Sequence, residues 1–346
     1  MKKELLETMQ CLNCRASSLE LQIFNEDLRE VREGGVYCKN CQVRCAISGG
    51  VLNMLPAVLS PEIIHEKEHA EEFDYIDTEE GRYPINQETL KKFKNLFLSL
   101  PAGDGSKVFL PGGSFDNQAG NAERFFKTLG MLRLTGSERV LEVGASFTWG
   151  AWRFAQKGCR VVALDITEYL HAADLYMEHD GAYYDRVMAD MSQLPFKDGS
   201  FDLVFSHSVV HHCKDLKKLF SEFCRVLKPG GRLVALHECS FGLLEDKSGK
   251  ALKEAIDEGF NENAYTVPQW TKGIRDGGFR HVRCHFFSVI DDYLYRKKLR
   301  KAPRTFKIAL AEWIRQEPLV HGILNALSVW PRIIFRPKSW MFIATK

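Results

Sequence analysis

The sequence contains no long uninterrupted apolar stretch. Its most apolar late segment, PLVHGILNALSVWPRIIF, is broken by a histidine, an asparagine, a proline and an arginine. It therefore falls short of the roughly 18 clean apolar residues that a membrane-spanning helix needs. Residues 1–10 are charged and carry no apolar core of a signal peptide. These absences predict a cytoplasmic protein whose ten cysteines are reduced thiols or metal ligands rather than disulfides.

Neither sign of charge dominates the chain as a whole. Its 47 Lys and Arg residues nearly balance 45 Asp and Glu residues and leave a net charge of +2, so the whole molecule is not expected to bind polyanions. Charge is instead local. Residues 61–90 contain ten acidic and two basic residues. This acidic segment predicts a solvated helix or a lid over a binding site, and either would repel nucleic acid.

Four of the cysteines form two C-x2-C pairs, CLNC and CKNC, at Cys11, Cys14, Cys38 and Cys41. Each pair places two thiolates on one side of a tight turn, and two facing turns form the tetrahedral four-sulfur cage that suits zinc. Four thiolates leave no open coordination position, so the predicted zinc is structural. A redox-active pair, the alternative, would not need the second pair. Cys45 is predicted to be a packed thiol or a substitute ligand.

From residue 139 onward, short apolar runs alternate with helical segments. RVLEV, CRVVALD, YDRVMAD, SFDLVFSHS and RLVALHE are typical of strands, and WGAWRFAQKG and KDLKKLFSEFCRVLKPGG are typical of helices. Apolar strands separated by helices indicate a parallel sheet covered on both faces. Such sheets bind ligands at the carboxyl ends of their strands.

Acidic residues lie at the ends of the first three strands, at Glu142, Asp165 and Asp190. Acidic residues at strand ends do not help to pack a core. A carboxylate after the second strand can, however, accept hydrogen bonds from both hydroxyls of a ribose. The first strand runs into Gly144, but Ser146 stands where a nucleotide-binding turn usually has a second glycine. A small serine could instead donate its hydroxyl to a cofactor carboxylate.

The segments LEVGASFTW, VVALDI, ADMSQLPFKDGSFDLVFSHSVVHH and EFCRVLKPGGRLVALHE together resemble class I S-adenosylmethionine-dependent methyltransferases, of the broad group that includes quinone-biosynthesis methylases. The resemblance covers about residues 118–287. It includes the LPF-x-D-x-SFD and R-x-LKPGG signatures, which dinucleotide-binding domains lack. It implies a doubly wound, mostly parallel seven-stranded α/β sheet with S-adenosyl-L-methionine as cofactor.

The resemblance also implies roles for single residues. The cofactor-binding residues it implies are Glu142, Gly144, Ser146, Asp165, Ile166, Asp190, Met191 and Ser206. Asp165 would hold the ribose hydroxyls, Ile166 would pack on the adenine, and Asp190 would accept from the adenine amino group beside Met191. Glu142 would mainly order the loop near the amino acid end of the cofactor.

Histidines follow the fourth strand, where the methyl group and its acceptor normally meet. His207 and His211 are the candidate general bases for an acceptor that must lose a proton, although histidines here are frequent in the family without being catalytic. Methyl transfer is an in-line displacement from an activated donor, so alignment supplies much of the catalysis. The candidate acceptor-binding residues, which alternatively belong to an ordinary hydrogen-bonded loop, are Asn261, Glu262, Asn263 and Tyr265.

The stretch YCKNCQVRCAISGGVLNMLP resembles the end of a small zinc-ribbon family, whose members include bacterial ribbons and the eukaryotic activator of tRNA and protein methyltransferases. The resemblance covers about residues 8–56. Ribbons of this kind often accompany methyltransferases, which agrees with the resemblance of the central segment.

About fifty residues separate the predicted sixth strand, HVRCHFF, from the last strand, SWMFIATK. This insert carries the basic run RKKLRKAPRTFK and a helix-like run with Phe306, Leu310, Trp313 and Ile314 on one face. A basic amphipathic segment with tryptophan is suited to peripheral contact with the inner face of a membrane. The alternatives are a packed helical cap and a segment that contacts RNA phosphates.

The predicted organisation is a zinc ribbon at 1–58, an acidic helical linker or lid at 59–116, a methyltransferase core at 117–288, a basic helical insert at 289–337 and the last core strand at 338–346. We expect O- or N-methylation of a small molecule, a glycan or a lipid-linked precursor. An RNA methyltransferase and a non-catalytic cofactor-binding subunit are the alternatives. The acidic segment and the small net charge argue against a nucleic-acid partner. The fourth strand also lacks a following N/D-P-P-Y motif, which disfavours adenine or cytosine amino-group methylation only.

Overall fold

The computed structural model describes residues 1–72, 75–102, 109–110, 113–244, 263, 265–288, 290–291, 293–294, 297, 302–335 and 338–346. The strands within these ranges are β1 (Leu19–Glu26), β2 (Val31–Cys38), β3 (Arg44–Ser48), β4 (Val51–Asn53), β5 (Tyr75–Thr78), β6 (Gly81–Pro84), β7 (Phe109–Leu110), β8 (Gly113–Ser114), β9 (Arg139–Val143), β10 (Arg160–Asp165), β11 (Asp185–Met188), β12 (Phe201–His207), β13 (Leu227–Ser240), β14 (Arg280–His285) and β15 (Lys338–Thr345).

The helices connect these strands. They are α1 (Pro61–Glu72), α2 (Gln87–Lys92), α3 (Lys94–Ser99), α4 (Phe115–Leu132), α5 (Trp149–Gln156), α6 (Ala173–Asp180), α7 (Leu216–Val226), α8 (Val267–Asp276), α9 (Phe306–Gln316) and α10 (Pro318–Phe335). Short 3-10 helices occupy Lys3–Thr8, Glu168–Ala172 and Val210–His212.

Eleven strands of the described ranges form one mixed sheet, in the order β1-β2-β3-β4-β11-β10-β9-β12-β13-β15-β14. Strands β11, β10, β9, β12 and β13 pair in parallel, and β15 runs antiparallel between β13 and β14. The seven strands β9–β15 correspond to the seven strands predicted from the sequence. The sheet is larger than the predicted seven strands because β1–β4 continue it through the parallel pairing of β4 with β11.

Both faces of the parallel strands are buried, as their nearly continuous apolar sequences require. In β9, Val140 points into an apolar cluster that also contains Trp152 of α5. Leu141 and Val143 lie in the cluster on the other face, together with Phe220 of α7. The sheet therefore has helices on both sides, and the ends of its strands are left for binding.

A buried ionic network joins the amino-terminal strands to the parallel sheet. Glu30 forms an ion pair with the fully buried Arg186 of β11, and Arg186 Nη1 lies 2.8 Å from Asp174 Oδ1. Arg32 of β2 approaches Glu30 to 2.7 Å and Asp174 to 2.9 Å. Because Arg186 is fully buried, its charge depends on these acidic partners, and their loss is expected to be costly.

Helices α9 and α10 lie between β14 and β15 in the chain, within the predicted insert. The backbone N–H groups of Leu243 and Leu244 donate to the carbonyls of Ile333 and Ile334, both at 2.9 Å, so the end of α10 is tied to the segment that follows β13. Among the helices in the described ranges, none is long and apolar enough to cross a membrane.

Candidate active site and metal centre

The turn after β9 brings the backbone to the edge of a cavity. Gly144 has a φ of +69°, and its N–H donates to the Leu164 carbonyl at 2.8 Å. A Cβ at this position would lie 2.5 Å from Cγ2 of Val209. Only glycine fits this turn without moving the loop that follows β12, because a side chain would meet both backbone strain and a steric clash.

Ser146 adopts the backbone conformation that the missing glycine would have favoured. Its φ is +44°, and its N–H donates to Asp165 Oδ2 at 2.8 Å. A left-handed conformation in a non-glycine residue is uncommon and clusters at binding and active sites. The serine therefore keeps the turn closed against the end of β10.

Asp165 is buried at the carboxyl end of β10. Its Oδ1 accepts from the N–H of Thr167 at 2.9 Å and from the Thr167 hydroxyl at 2.8 Å. Burial raises the pKa of this carboxyl, and the hydrogen bonds from Ser146 and Thr167 oppose that shift. The Asp165 carboxylate is therefore held at the edge of the cavity by hydrogen bonds from Ser146 and Thr167.

A cavity of about 400 Å³ opens at these strand ends. Five of the predicted cofactor-binding residues line it: Gly144, Asp165, Ile166, Asp190 and Met191. Asp190 is held by Ser192, whose N–H and hydroxyl donate to it at 2.8 and 2.7 Å. Ser60, Ile63 and Glu66, at and in α1, also line the cavity. Its volume is within the range of small-molecule and cofactor sites, roughly 300–1,000 Å³.

Glu142 lies behind the turn and does not line this cavity. It is buried next to the start of α5, and a Cβ at Gly150 would lie 2.0 Å from its Oε1. Burial raises the pKa of Glu142 to about 8, a hydrogen bond from the Ala151 backbone opposes the shift, and the charge of Asp165 adds to it. Ser206 is likewise buried outside the cavity, and its hydroxyl has no hydrogen-bond partner among the described residues.

The two candidate bases differ in their surroundings. Burial lowers the pKa of His207 to about 4, and its Nε2 has no hydrogen-bond partner within the described ranges. The ring centroid of His207 lies 5.8 Å from that of His237. His211 Nδ1 lies 2.8 Å from Oε2 of the fully buried Glu238. His207 is therefore neutral near pH 7, and His211 is oriented by a carboxylate.

Sequence reasoning did not include Glu238 or Arg124 among the site residues. Glu238 also accepts from the backbone N–H groups of Val209 and Val210, at 3.3 and 3.2 Å, so it organises the loop after β12. It could have been found, since it is the acid that ends the strand RLVALHE. No local sequence pattern identifies Arg124. It lies in α4, and only the fold brings it close to His237.

Arg124 belongs to a chain of polar contacts at the end of β13. Its Nη1 lies 2.7 Å from His237 Nε2, and His237 Nδ1 lies 2.9 Å from the Ser208 hydroxyl. Burial lowers the pKa of His237 to about 2, and nearby His207 and Arg124 add to this effect. His237 and Ser208 both have positive φ, +60° and +54°. Strained backbone and neutral histidines therefore lie together here, as is typical of functional sites.

The predicted acceptor-binding residues are described only in part. Asn261 and Glu262 lie outside the described residues. Asn263 donates from Nδ2 to the His211 carbonyl at 2.8 Å. The hydroxyl of Tyr265 donates to the carbonyls of Cys213 and Lys214, at 2.8 and 2.9 Å. Both side chains hold the backbone of the loop that carries His211.

The four predicted metal ligands converge at the amino-terminal strands. The sulfur atoms of Cys11, Cys14, Cys38 and Cys41 all lie within 4.8 Å of one another. The Cys11–Cys41 and Cys14–Cys38 sulfur distances are 3.5 and 3.6 Å. A tetrahedral zinc with bonds of about 2.3 Å separates its sulfurs by roughly 3.8 Å, so this donor set fits zinc.

The asparagine of each C-x2-C turn contacts a cysteine of the other turn. Asn40 hydrogen-bonds to Cys14 and lowers the pKa of that thiol, and Asn13 does the same to Cys41, whose pKa falls to about 6. Metal sites commonly have such supporting hydrogen bonds around their ligands. Cys45 is different, because burial raises the pKa of its thiol to about 11, which is typical of a packed cysteine.

Known proteins match the same part of the chain. A family model described as a methyltransferase domain matches residues 141–235, a range that contains every predicted cofactor-binding and catalytic residue. Malonyl-[acyl-carrier protein] O-methyltransferase of Erwinia billingiae is 31% identical over 144 residues, covering 34% of this chain and 53% of that enzyme. The 27-O-demethylrifamycin SV methyltransferase of Amycolatopsis mediterranei is 28% identical over 199 residues, covering 46% of this chain and 72% of that enzyme.

The chain thus spans about half of the Erwinia relative, and 18% of a matching bifunctional biotin-biosynthesis protein of Cellvibrio japonicus. Among solved structures, geranyl diphosphate C-methyltransferase of Streptomyces coelicolor has a TM-score of 0.50 and 15% identity, covering 84% of this chain and 99% of that one. At this identity the likeness shows the fold alone. Residues 141–235 therefore match a methyltransferase domain, and the strands β9–β15 have the class I methyltransferase fold.

Proposed function

We propose that the protein is an S-adenosylmethionine-dependent methyltransferase that acts on a small molecule. The observation that carries the proposal is the convergence of Gly144, Asp165, Ile166, Asp190 and Met191 on one cavity inside the matched domain. Two of the matching relatives are named as methyltransferases of malonyl-[acyl-carrier protein] and of 27-O-demethylrifamycin SV. For this chain we propose O- or N-methylation of a small molecule, a glycan or a lipid-linked precursor. Membership of the quinone-biosynthesis group stays a prediction.

The residues around the cavity fit this cofactor. The space that a Cβ of Gly144 would fill lets the backbone approach a ligand closely. Asp165 would accept hydrogen bonds from ribose hydroxyls, Asp190 would accept from the adenine amino group, and Ile166 and Met191 would pack on the adenine. When bound, the cofactor supplies an activated methyl group for an in-line displacement.

The histidines after β12 are the candidates for proton transfer from the acceptor. With its pKa lowered to about 4 by burial, His207 is unprotonated at neutral pH and could accept a proton. Glu238 fixes the ring of His211 through the 2.8 Å contact at Nδ1. We propose His207 as the base and His211 as a positioning residue or second candidate, with a contribution to rate of roughly 10²–10⁴-fold.

We also propose that residues 1–58 form a structural zinc ribbon with ligands Cys11, Cys14, Cys38 and Cys41. The sulfur distances and the two asparagine contacts support a closed four-thiolate site. Residues 59–116 would act as a lid, since Ile63 and Glu66 of α1 line the cavity and Glu66 lies 3.6 Å from His212. Residues 117–288 with 338–346 would form the catalytic core, and residues 289–337 an insert.

The proposed activity is tested by measuring S-adenosylhomocysteine formation with a library of hydroxyl- and amine-bearing small molecules. We expect acceptor-dependent turnover that Asp165→Ala reduces at subsaturating cofactor. Asp198→Ala, a change at an exposed aspartate that pairs with Arg225, should leave turnover unchanged. His207→Gln should lower kcat while cofactor affinity stays the same. Tight cofactor binding without turnover on any acceptor would favour a non-catalytic subunit instead.

A further inference from the structure

The two helices of the insert expose an unusual amount of apolar surface. Of the 17 exposed large hydrophobic residues within the described ranges, seven lie in α9 and α10: Phe306, Leu310, Trp313, Leu319, Ile323, Leu324 and Leu327. Phe306 is 81% exposed, Trp313 51% and Leu319 76%. Single exposed apolar side chains are ordinary, but a dense group of them marks an interaction surface. These seven residues are called the insert surface below.

The spacing of these residues gives each helix one apolar outer side. Phe306, Leu310 and Trp313 follow the i, i+4, i+7 pattern and so share one face of α9. The buried residues of the same helix are Ile308 and Ala311, which pack in a small cluster of the insert. The face of α9 that packs against the protein is therefore the one with Ile308 and Ala311. The face with Trp313 is left in contact with solvent.

Charge around the insert surface selects the kind of partner. Residues 293–346 contain twelve Lys and Arg residues but two acidic residues. Of the basic ones, Lys307 and Arg315 are exposed within α9, and the exposed Arg304 just before α9 lies 3.1 Å from Glu312. Nucleic acid would use the positive charge but not the apolar face. A second copy of this chain would bring the same positive charge into the interface, which is unfavourable. An anionic lipid surface satisfies both features, because it accepts apolar side chains at the acyl boundary and attracts Lys and Arg.

We propose that α9 and α10 bind peripherally to an anionic membrane surface. The side chains of the insert surface enter the boundary between headgroups and acyl chains, and the neighbouring basic residues contact lipid phosphates. Attachment is superficial, since neither helix is suited to crossing the bilayer. The proposal does not depend on the enzymatic activity, because it rests on residues remote in the chain from the matched domain.

The test is sedimentation of the full-length chain with two kinds of vesicle, phosphatidylcholine alone and phosphatidylcholine mixed with phosphatidylglycerol. The wild type should bind the mixed vesicles, more weakly at high salt. The triple change Phe306→Ser, Leu310→Ser and Trp313→Ser should reduce partitioning at least about tenfold. A matched control, Phe24→Ser with Leu28→Ser, removes exposed apolar side chains of β1 and of the turn that follows it and should not change partitioning. Thermal unfolding should show that all variants are folded.

Several results would overturn the proposal. These are absence of wild-type binding to the mixed vesicles, equal binding of the triple variant, and equal loss in the control variant. A concentration-dependent dimer that the triple change abolishes, without vesicle binding, would assign the insert surface to a second copy. If the triple variant loses vesicle binding but keeps its cofactor affinity, the membrane contact and the proposed function are shown to depend on different residues.

Discussion

At the scale of single residues, the buried carboxyl of Glu142 couples the cofactor turn to pH. The pKa of Glu142 is raised from 4.5 to about 8 because the group is buried, with a smaller contribution from Asp165. Between these two values the folded state holds a proton that the unfolded state releases. The free energy of unfolding should therefore fall as pH rises from about 4.5 to about 8.

Glu142→Gln should remove this contribution to the pH dependence. Glutamine keeps the shape and the acceptor for the Ala151 N–H, but it has no proton to lose. As the pH rises from 5 to 8, the free energy of unfolding of the variant should therefore increase relative to that of wild type, by on the order of 1–3 kcal/mol. Urea unfolding at a series of pH values measures this difference. Parallel pH profiles for the two proteins would show that Glu142 does not titrate in this range.

Gly144 is the residue whose replacement should damage the cofactor turn most directly. Gly144→Ala should weaken cofactor binding at least about tenfold, because the new Cβ would press on Val209 at the cavity edge. Gly181→Ala is the matched control. Gly181 also has a positive φ, +78°, but a Cβ there would have no atom of the described residues within 4 Å. The control should cost about 1–2 kcal/mol of stability from backbone strain and leave affinity unchanged. If calorimetry gave equal cofactor affinities for Gly144→Ala and wild type, close approach of the cofactor to the backbone at Gly144 would be excluded.

At the scale of elements, the amino-terminal strands and the parallel sheet are one hydrogen-bonded structure. Strand β4 pairs with β11 over three residue pairs, from Val51 with Arg186 to Asn53 with Met188. The next strand along the sheet, β10, ends in Asp165. A change that unfolds β1–β4 is therefore expected to disturb the proposed adenosine side of the cavity as well as the proposed metal site.

Cys38→Ser tests this coupling. Zinc binding at closed thiolate sites is worth about 10–16 kcal/mol, so its loss should unfold the ribbon, lower the melting temperature and weaken cofactor binding. Cys45→Ser, at the packed thiol beside the site, should keep one zinc per chain. Metal analysis and thermal unfolding of the two variants give the comparison. Wild-type protein with far less than one zinc per chain would contradict the assignment.

At the scale of the whole molecule, the features that could be predicted are those that depend on a local sequence pattern. The C-x2-C pairs have a fixed relation to backbone geometry, and their four sulfurs lie within 4.8 Å of one another. Of the strand-end acids, Asp165 and Asp190 line one cavity, whereas Glu142 is buried behind the turn. The joining of β4 to β11 could not be predicted, because strand pairing between distant segments leaves no local signature. Arg124 was missed for the same reason, since its contact with His237 spans 113 residues.

The central claim is that the cavity at the ends of β9, β10 and β11 binds S-adenosylmethionine through Asp165. Isothermal titration calorimetry of wild type, Asp165→Ala and Asp198→Ala with S-adenosylmethionine tests it most directly. We predict one site per wild-type chain and an unchanged affinity for Asp198→Ala. Asp165→Ala should bind more weakly by about 1.5–3 kcal/mol, the value of hydrogen bonds to a charged group. Absence of binding by the wild type, or an unchanged affinity for Asp165→Ala, would contradict the account.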